Sequence, residues 1–517
     1  MATEQLTQNT ELVIGLVGAV GTDLGGVTHH LKQQLERAGY DVAELKISRR
    51  VISEFAEYHC PTESGFARYD CLIKAGNDIR ERASVEQSSK IGNGVLAQGA
   101  AAIIYAEREK TTTPEGLVSS RPNFRKAYII DSLKRPEEVE LLRKVYPEGF
   151  VLVGAYQDEA ERLDRLCGPQ RNVMSSEEAN RLIERDADEE KEPHGQRVRK
   201  TFHLSDFFLH VTSDRPRLEC DVRRMVELWF GNPQLTPTFD EYAMYMAFAA
   251  SLRSADLSRQ VGAVIAKDNE ILSSGANDCP CAFGGLYWPK RSESGCIEDV
   301  EGGRDHTLGI DSNREQQLIM IQEIVEKLKR EYHELDEQKV SALIGTTSIA
   351  DLTEYGRVVR AEMEALLACA RNNISMRKGE LFSTTFPCHN CAKHIVSAGI
   401  KRVVYIEPYA KSKALGFHVD SIKAIEPGAT SDEKVVFEPF VGIGPRKFFD
   451  LFSMSHGSNY ELTRKDRQTG KKRAWSIEKA QVRLQMNPNS YLDLEVLASG
   501  SFDAFKSNSS TESSNGE

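Results

Sequence analysis

Long apolar runs and an apolar leader are both absent from this sequence of 517 residues. No stretch approaches the roughly 20 consecutive apolar residues that cross a bilayer, which argues against a membrane protein. The opening residues MATEQLTQNT have neither the basic start nor the apolar stretch of a secretory signal. We therefore expect a cytoplasmic protein.

Cysteine is thinly spread, and positive charge falls short of negative charge, with 66 Lys and Arg against 77 Asp and Glu. Ten cysteines scattered over the chain do not form the dense pattern of a disulfide framework, so most are expected to be small buried hydrophobic residues. A net charge of -11 disfavours a general affinity for nucleic acid, although it leaves room for a local basic pocket that holds a phosphorylated small molecule.

Length and composition divide the chain into domains. At 517 residues it is too long for one ordinary core. The stretch GNPQLTPT, residues 231–238, is rich in proline, glycine and asparagine and is typical of a linker. We predict one domain over residues 1–232, a second over 233–500 and a disordered polar tail over 501–517.

The first domain opens with a strand, a glycine-rich loop, a helix and a second strand. In GTDLGGVT, Gly21, Gly26 and Thr28 fit the P-loop pattern G-x-x-x-x-G-K-[ST], but Val27 stands at the lysine position. Backbone N–H groups at the helix start can still hold phosphate, and Thr28 could face Mg²⁺. The alternative is a glycine-rich turn without a ligand.

Three short apolar runs follow at 101–107, 126–133 and 149–156, and each suits a buried parallel strand. Asp131 ends the second run, where the acid that accompanies a P-loop would lie. In YIIDSLKRPEEVELLRKVY followed by FVLVGAY, the domain resembles the P-loop kinases of nucleotides and of dephospho-coenzyme A. This resemblance implies a site for a nucleotide triphosphate with Mg²⁺, and the missing lysine predicts binding with little phosphoryl transfer.

The second domain contains a Cys-x-x-Cys motif directly behind a proline, in FPCHNCAKHI. At a helix start, Cys388 and Cys391 would direct both sulfurs to one point, where they bind zinc, form a redox pair or do neither. Nucleobase deaminases combine P-C-x-x-C with H-x-E on another helix, where histidine and two thiolates hold zinc and glutamate shuttles protons. The upstream segment VVRAEMEALLACARNN places Glu362 in the glutamate position, which favours a deaminase.

The segment from about 238 to 450 is similar to the zinc-dependent deoxycytidylate deaminases, in SRQVGAVIAKDNEILSSGAND, AEMEAL, TTFPCHNCAKHIVSAGIKRVVYIEP and YAKSKALGFHVDSI. With the P-loop-like domain in front, the chain resembles the antiviral deoxycytidine nucleotide deaminases of bacteria. That resemblance implies conversion of dCTP or dCMP to uracil nucleotides, depletion of the nucleotide pool of an infecting phage, and an inhibitory small RNA. It also leads us to expect a homo-oligomer.

One position departs from this family. Where the zinc-binding histidine is expected, the sequence has Arg360, whose guanidinium stays protonated and has no lone pair for a metal. Three explanations stay open: the site is disabled, another residue such as His306, His389 or His418 completes it, or the domain binds nucleotides without turning them over.

The resemblance also implies substrate-binding residues. Asn277, at the end of a predicted hairpin with Asp268 and Asn269 at its turn, matches an asparagine near the sugar. In YAKSKA, the side chains of Lys411, Ser412 and Lys413 are candidates for phosphate contacts, with a solvated loop as the alternative.

We therefore predict an α/β protein with an N-terminal P-loop-like parallel sheet domain and a C-terminal three-layer α/β/α deaminase domain. The expected function is deamination of free deoxycytidine nucleotides with Zn²⁺. The alternatives are a catalytically impaired nucleotide sensor, which Arg360 favours, and a nucleotide kinase with a metal-binding C-terminal domain, which Val27 disfavours.

Overall fold

The structure is a computed structural model, and it falls into two compact units. It describes residues 11–514 except 56, 64, 88, 109, 113–117, 121, 169–173, 188, 190–191, 213, 333, 353, 410–411, 456–460 and 484–487. Unit 1 consists of residues 1–238 together with 441–517, and unit 2 of residues 239–440. No helix within these described ranges is long and apolar enough to cross a membrane.

The strands of the described residues are β1 Leu12–Gly18, β2 Asp41–Lys46, β3 Lys110–Thr112, β4 Val118–Ser120, β5 Lys126–Asp131, β6 Phe150–Tyr156, β7 Phe207–His210, β8 Gly262–Lys267, β9 Glu270–Ala276, β10 Lys290–Arg291, β11 Ile297–Glu298, β12 Glu380–Thr385, β13 Arg402–Glu407, β14 Ile422–Ala424, β15 Val435–Pro439 and β16 Gly442–Ile443.

The α-helices are α1 Leu24–Arg37, α2 Ile47–Arg50, α3 Phe66–Gln87, α4 Ser89–Gly92, α5 Val95–Ala106, α6 Pro136–Val145, α7 Glu159–Cys167, α8 Ser176–Ala187, α9 Val198–Phe202, α10 Arg215–Trp229, α11 Phe239–Ser251, α12 Asp305–Leu308, α13 Ser312–Glu331, α14 Glu337–Ile344, α15 Ala361–Arg371, α16 His389–Ser397, α17 Ala414–Phe417, α18 Pro445–Phe452 and α19 Pro488–Ser514. Short 3₁₀ turns lie at Ile52–Glu54, Ser348–Asp351 and Ile477–Lys479.

Unit 1 is built on a sheet with the strand order β16-β7-β6-β1-β5-β2, parallel throughout except at β16. Its strands β1, β5, β6 and β7 are buried on both faces, as expected when helices cover both sides of a parallel sheet, whereas the edge strand β2 alternates between buried and exposed residues. Helices α1 and α10 pack on one face, while α5, α6 and α19 pack on the other. The predicted doubly covered parallel sheet is confirmed.

One of the predicted strands is wrong. Residues 101–106 belong to helix α5 and residue 107 follows its end, so the run is not part of the sheet, and the helix is buried along most of its length. A short apolar run cannot be assigned by periodicity alone, because a helix that is buried all round is apolar all round.

The C-terminal part of the chain also differs from the prediction. Residues 441–500 were assigned to the second domain and 501–517 to a disordered tail, but the structure groups 441–517 with unit 1. Helix α19 runs through the predicted tail boundary, and Phe502 and Phe505 on it are buried in the core beside α5. These two aromatic side chains supply the apolar anchor that the polar composition of the segment conceals.

Unit 2 has three layers. Its mixed sheet has the order β14-β15-β13-β12-β8-β9, with β8 antiparallel to both neighbours and the other pairs parallel. Helices α15 and α16 pack against one face, and Phe239 at the start of α11 packs edge-on against Phe382 on the opposite face. The α/β/α architecture predicted for this part of the chain is therefore present.

The hairpin that precedes the site was predicted correctly. Strands β8 and β9 are joined at Asp268 and Asn269, both with left-handed backbone angles, as a tight two-residue hairpin turn requires. Further along β9, Gly275 packs directly against the backbone of Ala361 at the start of α15, where a Cβ atom would clash. This close approach fixes the first turn of α15 against the sheet.

The absence of a disulfide framework agrees with the sequence, but the expectation that most cysteines are buried is wrong: among the free cysteines of the described residues, three are buried, three are half-buried and two are exposed. Among the described residues, Cys60 and Cys71 form a disulfide, and the other eight cysteines are free.

Candidate active site

Two helices of unit 2 begin at the same place. Helix α15 begins after Arg360, and α16 begins after Cys388, which follows directly from the end of β12 through Phe386 and Pro387. Both helices contribute to the apolar layer on one face of the sheet. Their N-termini bring the two predicted motifs together, because each motif lies in the first turn of its helix.

The glutamate and the two cysteines are in contact. The thiol of Cys391 lies 3.4 Å from Oε2 of Glu362 and hydrogen-bonds to the sulfur of Cys388. Glu362 and Cys391 are both buried, whereas Cys388 is half-buried. The predicted juxtaposition of the Glu362 carboxylate with the Cys-x-x-Cys sulfurs is present.

This arrangement shifts the pKa values of Glu362, Cys388 and Cys391. Burial raises the pKa of Glu362 to about 7, and the nearby charge of Cys388 adds to the rise. The hydrogen bond from Cys391, helped by the positive charge of Arg360, lowers the pKa of Cys388 to about 5. The pKa of Cys391 is raised, first by its hydrogen bond to Cys388 and then by burial. These surroundings favour the thiolate form of Cys388 over that of Cys391, and they bring the pKa of Glu362 to about 7.

The residues present do not fit a catalytic zinc ion. Such a site needs three protein ligands, and the chain offers two sulfurs with Arg360 in the third position. Within the described ranges, no three side chains of His, Cys, Asp or Glu converge on a point that could hold a metal ion. The guanidinium instead supplies positive charge beside the Cys388 thiolate.

None of the three alternative histidines fills the gap. His306 bonds through Nε2 to Asp299, and His389 packs edge-on against Phe417. His418 is the residue at which helix α17 ends. The hypothesis that one of them completes the metal site finds no support in this arrangement.

A cavity opens beside Glu362. It is lined by residues from the loop before β8, the end of β9, the N-termini of α15 and α16, and the ends of β12 and β13: Asp256, Ser258, Arg259, Val261, Asn277, Arg360, Ala361, Glu362, Thr385, Phe386, Cys388 and Tyr409. A planar base that enters this cavity would meet both an aromatic side chain and the Glu362 carboxyl group.

Asn277 lies in this cavity, but most of its side chain is already engaged. Its Oδ1 accepts the N–H of Val261 at 2.6 Å, and its Nδ2 donates to the carbonyl of Arg259 at 2.8 Å. An amide has two N–H groups and two lone pairs, so one of each is left for a substrate. Asn277 thus shapes the loop that lines the cavity in addition to the sugar contact predicted for it.

The predicted phosphate-binding loop is placed differently. Lys411 lies outside the described residues. The hydroxyl of Ser412 donates to the carbonyl of Pro387 at 2.8 Å, and Lys413 caps α17 with its side chain in solvent. Neither Ser412 nor Lys413 lines the cavity. The structure uses Ser412 to brace the turn ahead of Cys388.

Other cavity residues were missed in the sequence. The guanidinium of Arg259 stacks on Tyr409, 4.9 Å from the ring centre, and lies 3.6 Å from Glu407. Thr385, the last residue of β12, is buried in the cavity wall. Arg259 and Tyr409 are 150 positions apart in the sequence, so only the pairing of the sheet reveals them as neighbours.

Two of the four residues predicted for the nucleotide site of unit 1 do line a second cavity. Gly21, with a left-handed φ of 89°, and Asp131, at the end of β5, lie in its wall. Gly26 and Thr28 do not, because α1 begins at Leu24 and carries both of them into the body of the helix. The predicted Mg²⁺ contact of Thr28 is therefore not supported by its position.

Comparison with known proteins identifies the part of the chain that carries the first site. Residues 237–407 match the family described as the cytidine and deoxycytidylate deaminase zinc-binding region. The deoxycytidylate deaminase of Enterobacteria phage T4 is 28% identical over 176 residues, which cover 33% of this chain and 78% of the relative. That of Mycobacterium phage D29 is 28% identical over 169 residues, covering 33% and 94%.

Similar matches extend to animals and to solved structures. The human deoxycytidylate deaminase is 26% identical over 167 residues, covering 32% of this chain and 63% of the relative. The apo crystal structure of dCMP deaminase from cyanophage S-TIM5 aligns with 40% of this chain and 100% of its own, at 19% identity and a TM-score of 0.22. The predicted deaminase enzyme is thus confirmed at the level of one domain: residues 237–407 carry a deoxycytidylate deaminase domain.

Proposed function

We propose that unit 2 binds free deoxycytidine nucleotides, dCMP or dCTP, and deaminates them hydrolytically to the uracil nucleotides. The observation that carries this proposal is the buried Glu362 carboxyl group beside Cys391, in the wall of a cavity that Asn277 and Tyr409 also line. The similarity of residues 237–407 to deoxycytidylate deaminases supports the choice of base and sugar.

Deamination requires the protein to carry out two proton transfers. An oxygen from water replaces the amino group at C4 of cytosine, so the water must lose a proton and the departing amine must gain one. Glu362, with a pKa raised to about 7, can accept the first proton and deliver the second, because both protonation states are accessible near neutral pH. We propose that the remaining N–H of Asn277 bonds to the sugar.

Arg360 limits this activity. Water activation in the family depends on a zinc ion, and the donor set of this chain lacks the third ligand. We infer that the protein with Arg360 binds zinc weakly and turns over slowly. The expected role of the guanidinium is to neutralise Cys388 in place of the metal charge.

The test compares the natural sequence with Arg360→His. We expect the variant to gain about one zinc per chain and to form dUMP or dUTP faster by on the order of 100-fold or more, since metal activation of water is worth several kcal/mol. Arg360→Gln is the matched control, because it removes the charge without adding a ligand, and it should stay slow. Zinc is measured by elemental analysis and product by chromatography.

Two results would contradict the proposal. Full zinc content and fast turnover with Arg360 in place would mean that another residue completes the site. If the zinc-loaded Arg360→His protein keeps its turnover when Glu362→Gln is added, Glu362 does not transfer the protons.

A sensor without turnover is the second candidate, and the cation at position 360 is the observation that favours it. If Arg360→His stays inactive while both proteins bind dCMP equally well in calorimetry, this second reading is the better one.

The wider role follows from the resemblance of the whole sequence to antiviral deaminases. We propose that deamination depletes the deoxycytidine nucleotides available to an infecting phage and that a small RNA restrains the enzyme. A cell-based test would compare phage yield and dCTP levels with and without the Glu362→Gln substitution in the Arg360→His protein.

A further inference from the structure

The disulfide between Cys60 and Cys71 in unit 1 has no part in the function proposed for unit 2. The other eight cysteines of the chain are free, so the fold does not depend on a framework of disulfides. In the cytoplasm, where we expect this chain, an isolated disulfide is usually transient and responds to the redox state of its surroundings.

The bond joins an exposed segment to the start of a helix. Cys60 lies in residues 59–63, which we call the strap, and Cys71 is the sixth residue of α3. Both cysteines are half-buried. Thiol–disulfide exchange requires that a thiolate can approach a sulfur, and a pair near the surface meets this requirement better than a pair enclosed in a core.

The strap is held weakly apart from this bond. Residues 59–63 all lie within the described ranges, and none of them is buried. The chain is anchored just before the strap by Tyr58, which packs against the core of unit 1. Within the strap, Arg68 of α3 donates to the carbonyl of Pro61 at 2.6 Å, at an exposed position. Because water can replace such an exposed hydrogen bond, the covalent bond is the main attachment of the strap.

The turns of α3 that carry Cys71 also form part of the wall of the 310 Å³ cavity in unit 1. Tyr69 and Ile73, on either side of Cys71 in the sequence, both line this cavity. The buried residues of α3 begin only at Ile73. Before that point the helix is held by the partly exposed ion pair of Asp70 with Arg185 at 2.7 Å, which contributes little. Helix ends with few buried contacts open easily, so a cross-link at Cys71 orders a part of α3 that is otherwise weakly held.

We propose that Cys60 and Cys71 are a reversible redox switch. The oxidised pair fastens the strap and orders the first turns of α3, and the reduced pair releases both. The partner of the switch is a small-molecule thiol–disulfide couple, with glutathione as the example.

The exchange proceeds in two steps. The thiolate of one cysteine attacks glutathione disulfide, which gives a mixed disulfide and releases one glutathione. The second cysteine then attacks the protein sulfur of the mixed disulfide and releases the second glutathione. Two protein thiols have become one disulfide, and the two electrons and two protons leave on two molecules of reduced glutathione. Reduction is the same sequence in reverse.

Trypsin digestion of the full chain reports the state of the pair. Trypsin cuts after Arg68, between the two cysteines, so the oxidised chain gives peptides 51–68 and 69–74 joined by the bond, and the reduced chain gives them separately. The protein is equilibrated with reduced and oxidised glutathione in varied ratio, quenched with acid, alkylated, digested and analysed by mass spectrometry. We expect the joined peptides to predominate in glutathione disulfide and to fall by about tenfold or more in millimolar reduced glutathione.

Hydrogen exchange measures what the bond controls. Residues 59–63 and 66–72 should exchange about tenfold faster or more in the reduced chain, whereas residues 79–87 of the same helix should not change. Cys60→Ser should behave like the reduced chain in every buffer. Cys220→Ser, which removes an exposed free cysteine on α10, is the matched control and should behave like the natural sequence. If Cys60→Ser does not fold, the reduced natural chain still gives the comparison.

Three outcomes overturn the proposal. Joined peptides that persist in millimolar reduced glutathione would show a permanent cross-link, and joined peptides that never form in glutathione disulfide would show that the two sulfurs do not meet. Equal exchange of the two states, in the strap or in residues 66–72, would show that the bond does not order that segment. None of these measurements involves the site in unit 2, so they do not depend on the function proposed for it.

Discussion

Glu362 couples its protonation to the folding of unit 2. The carboxyl group is buried beside two sulfurs, and its pKa is raised to about 7 from an ordinary value of 4.5, first by burial and then by the charge of Cys388. Because the folded protein binds this proton more tightly than the unfolded chain does, the folded state is favoured at low pH. That contribution is complete below about pH 4.5 and is lost as the pH rises through 7.

Glu362→Gln should therefore stabilise the metal-free protein most at high pH. A neutral amide of the same shape removes the cost of burying a charge, which for a shift of this size is roughly 3 kcal/mol above pH 8. At pH 5 the carboxyl group is already protonated, so the gain should be small. Urea unfolding of the chelator-treated protein at the two pH values measures the difference. A gain that is equal at both pH values would contradict the assigned cause.

Asn277 is the residue that shapes the cavity wall. Its amide holds the backbone of residues 259–261, which carries Arg259 to the cavity mouth. The side chain is only 3% exposed, so neither of its two hydrogen bonds can be replaced by bulk water without rearrangement.

We expect Asn277→Ala to destabilise unit 2 by roughly 1–3 kcal/mol, because it leaves the N–H of Val261 buried without a partner and removes the donor to the part-buried carbonyl of Arg259. It should also weaken dCMP binding. The matched control is Asn372→Ala, which removes an exposed amide that bonds to a single carbonyl and should cost less. Urea unfolding and calorimetry with dCMP give the two measurements, and equal losses for both variants would contradict this role.

At the scale of elements, the sequence identified those whose local signals agree. The hairpin β8–β9 was predictable because the residues at its turn tolerate left-handed angles and its strands are apolar. Strands β12 and β13 are predictable for a similar reason, since turn residues bound each apolar run. The motif residues of α15 and α16 followed from their spacing.

Elements whose structure depends on contacts with residues far away in the sequence were predicted wrongly. The run at 101–107 is helical because it is buried under α19, which lies almost 400 residues further along the chain. The P-loop pattern led to Gly26 and Thr28, whereas in the structure the carboxylate of Asp186 accepts the N–H of Val20, earlier in the loop, and pairs with Lys134. No local pattern contains either pairing.

Helix α19 should be an integral part of the unit 1 core. The ring of Phe502 packs edge-on against Phe55, 5.9 Å between centres, and lies so close to Gly99 that a Cβ atom there would clash. Phe505 packs against the same Phe55 ring. A terminal helix that contributes two buried aromatic residues is anchored and does not fray independently.

Substitution of either aromatic residue should be strongly destabilising. We expect Phe502→Ala or Phe505→Ala to lower the free energy of unfolding of unit 1 by about 3–5 kcal/mol, as for large core residues in general. Leu497→Ala is the control on the same helix, because Leu497 is 67% exposed and its loss should be nearly neutral. Equal effects of all three substitutions in urea unfolding would mean that α19 is not packed as described.

At the scale of the whole molecule, unit 2 is inserted into unit 1. Residues 239–440 form one continuous unit, while unit 1 needs both 1–238 and 441–517. The two parts of unit 1 meet at a buried ion cluster, in which Arg108 lies 2.8 Å from Glu11 and 2.7 Å from Glu495 of α19. The burial of these groups makes the returning segment necessary, since an unmatched buried charge costs several kcal/mol.

This insertion predicts an asymmetric result when the chain is divided. Residues 239–440 should fold alone, because their sheet and both helical layers are contained within them. Residues 1–238 alone should be poorly soluble, because without α19 the apolar face of α5 is open and Arg108 loses the carboxylate of Glu495. Joining 1–238 to 441–517 through a flexible Gly/Ser linker of about 20 residues should restore a folded, cooperative unit 1.

Soluble yield, circular dichroism and urea unfolding of the three proteins test this prediction. If 1–238 alone unfolds at the same urea concentration as the linked form, the C-terminal segment contributes nothing to unit 1, and the division of the chain proposed here is wrong.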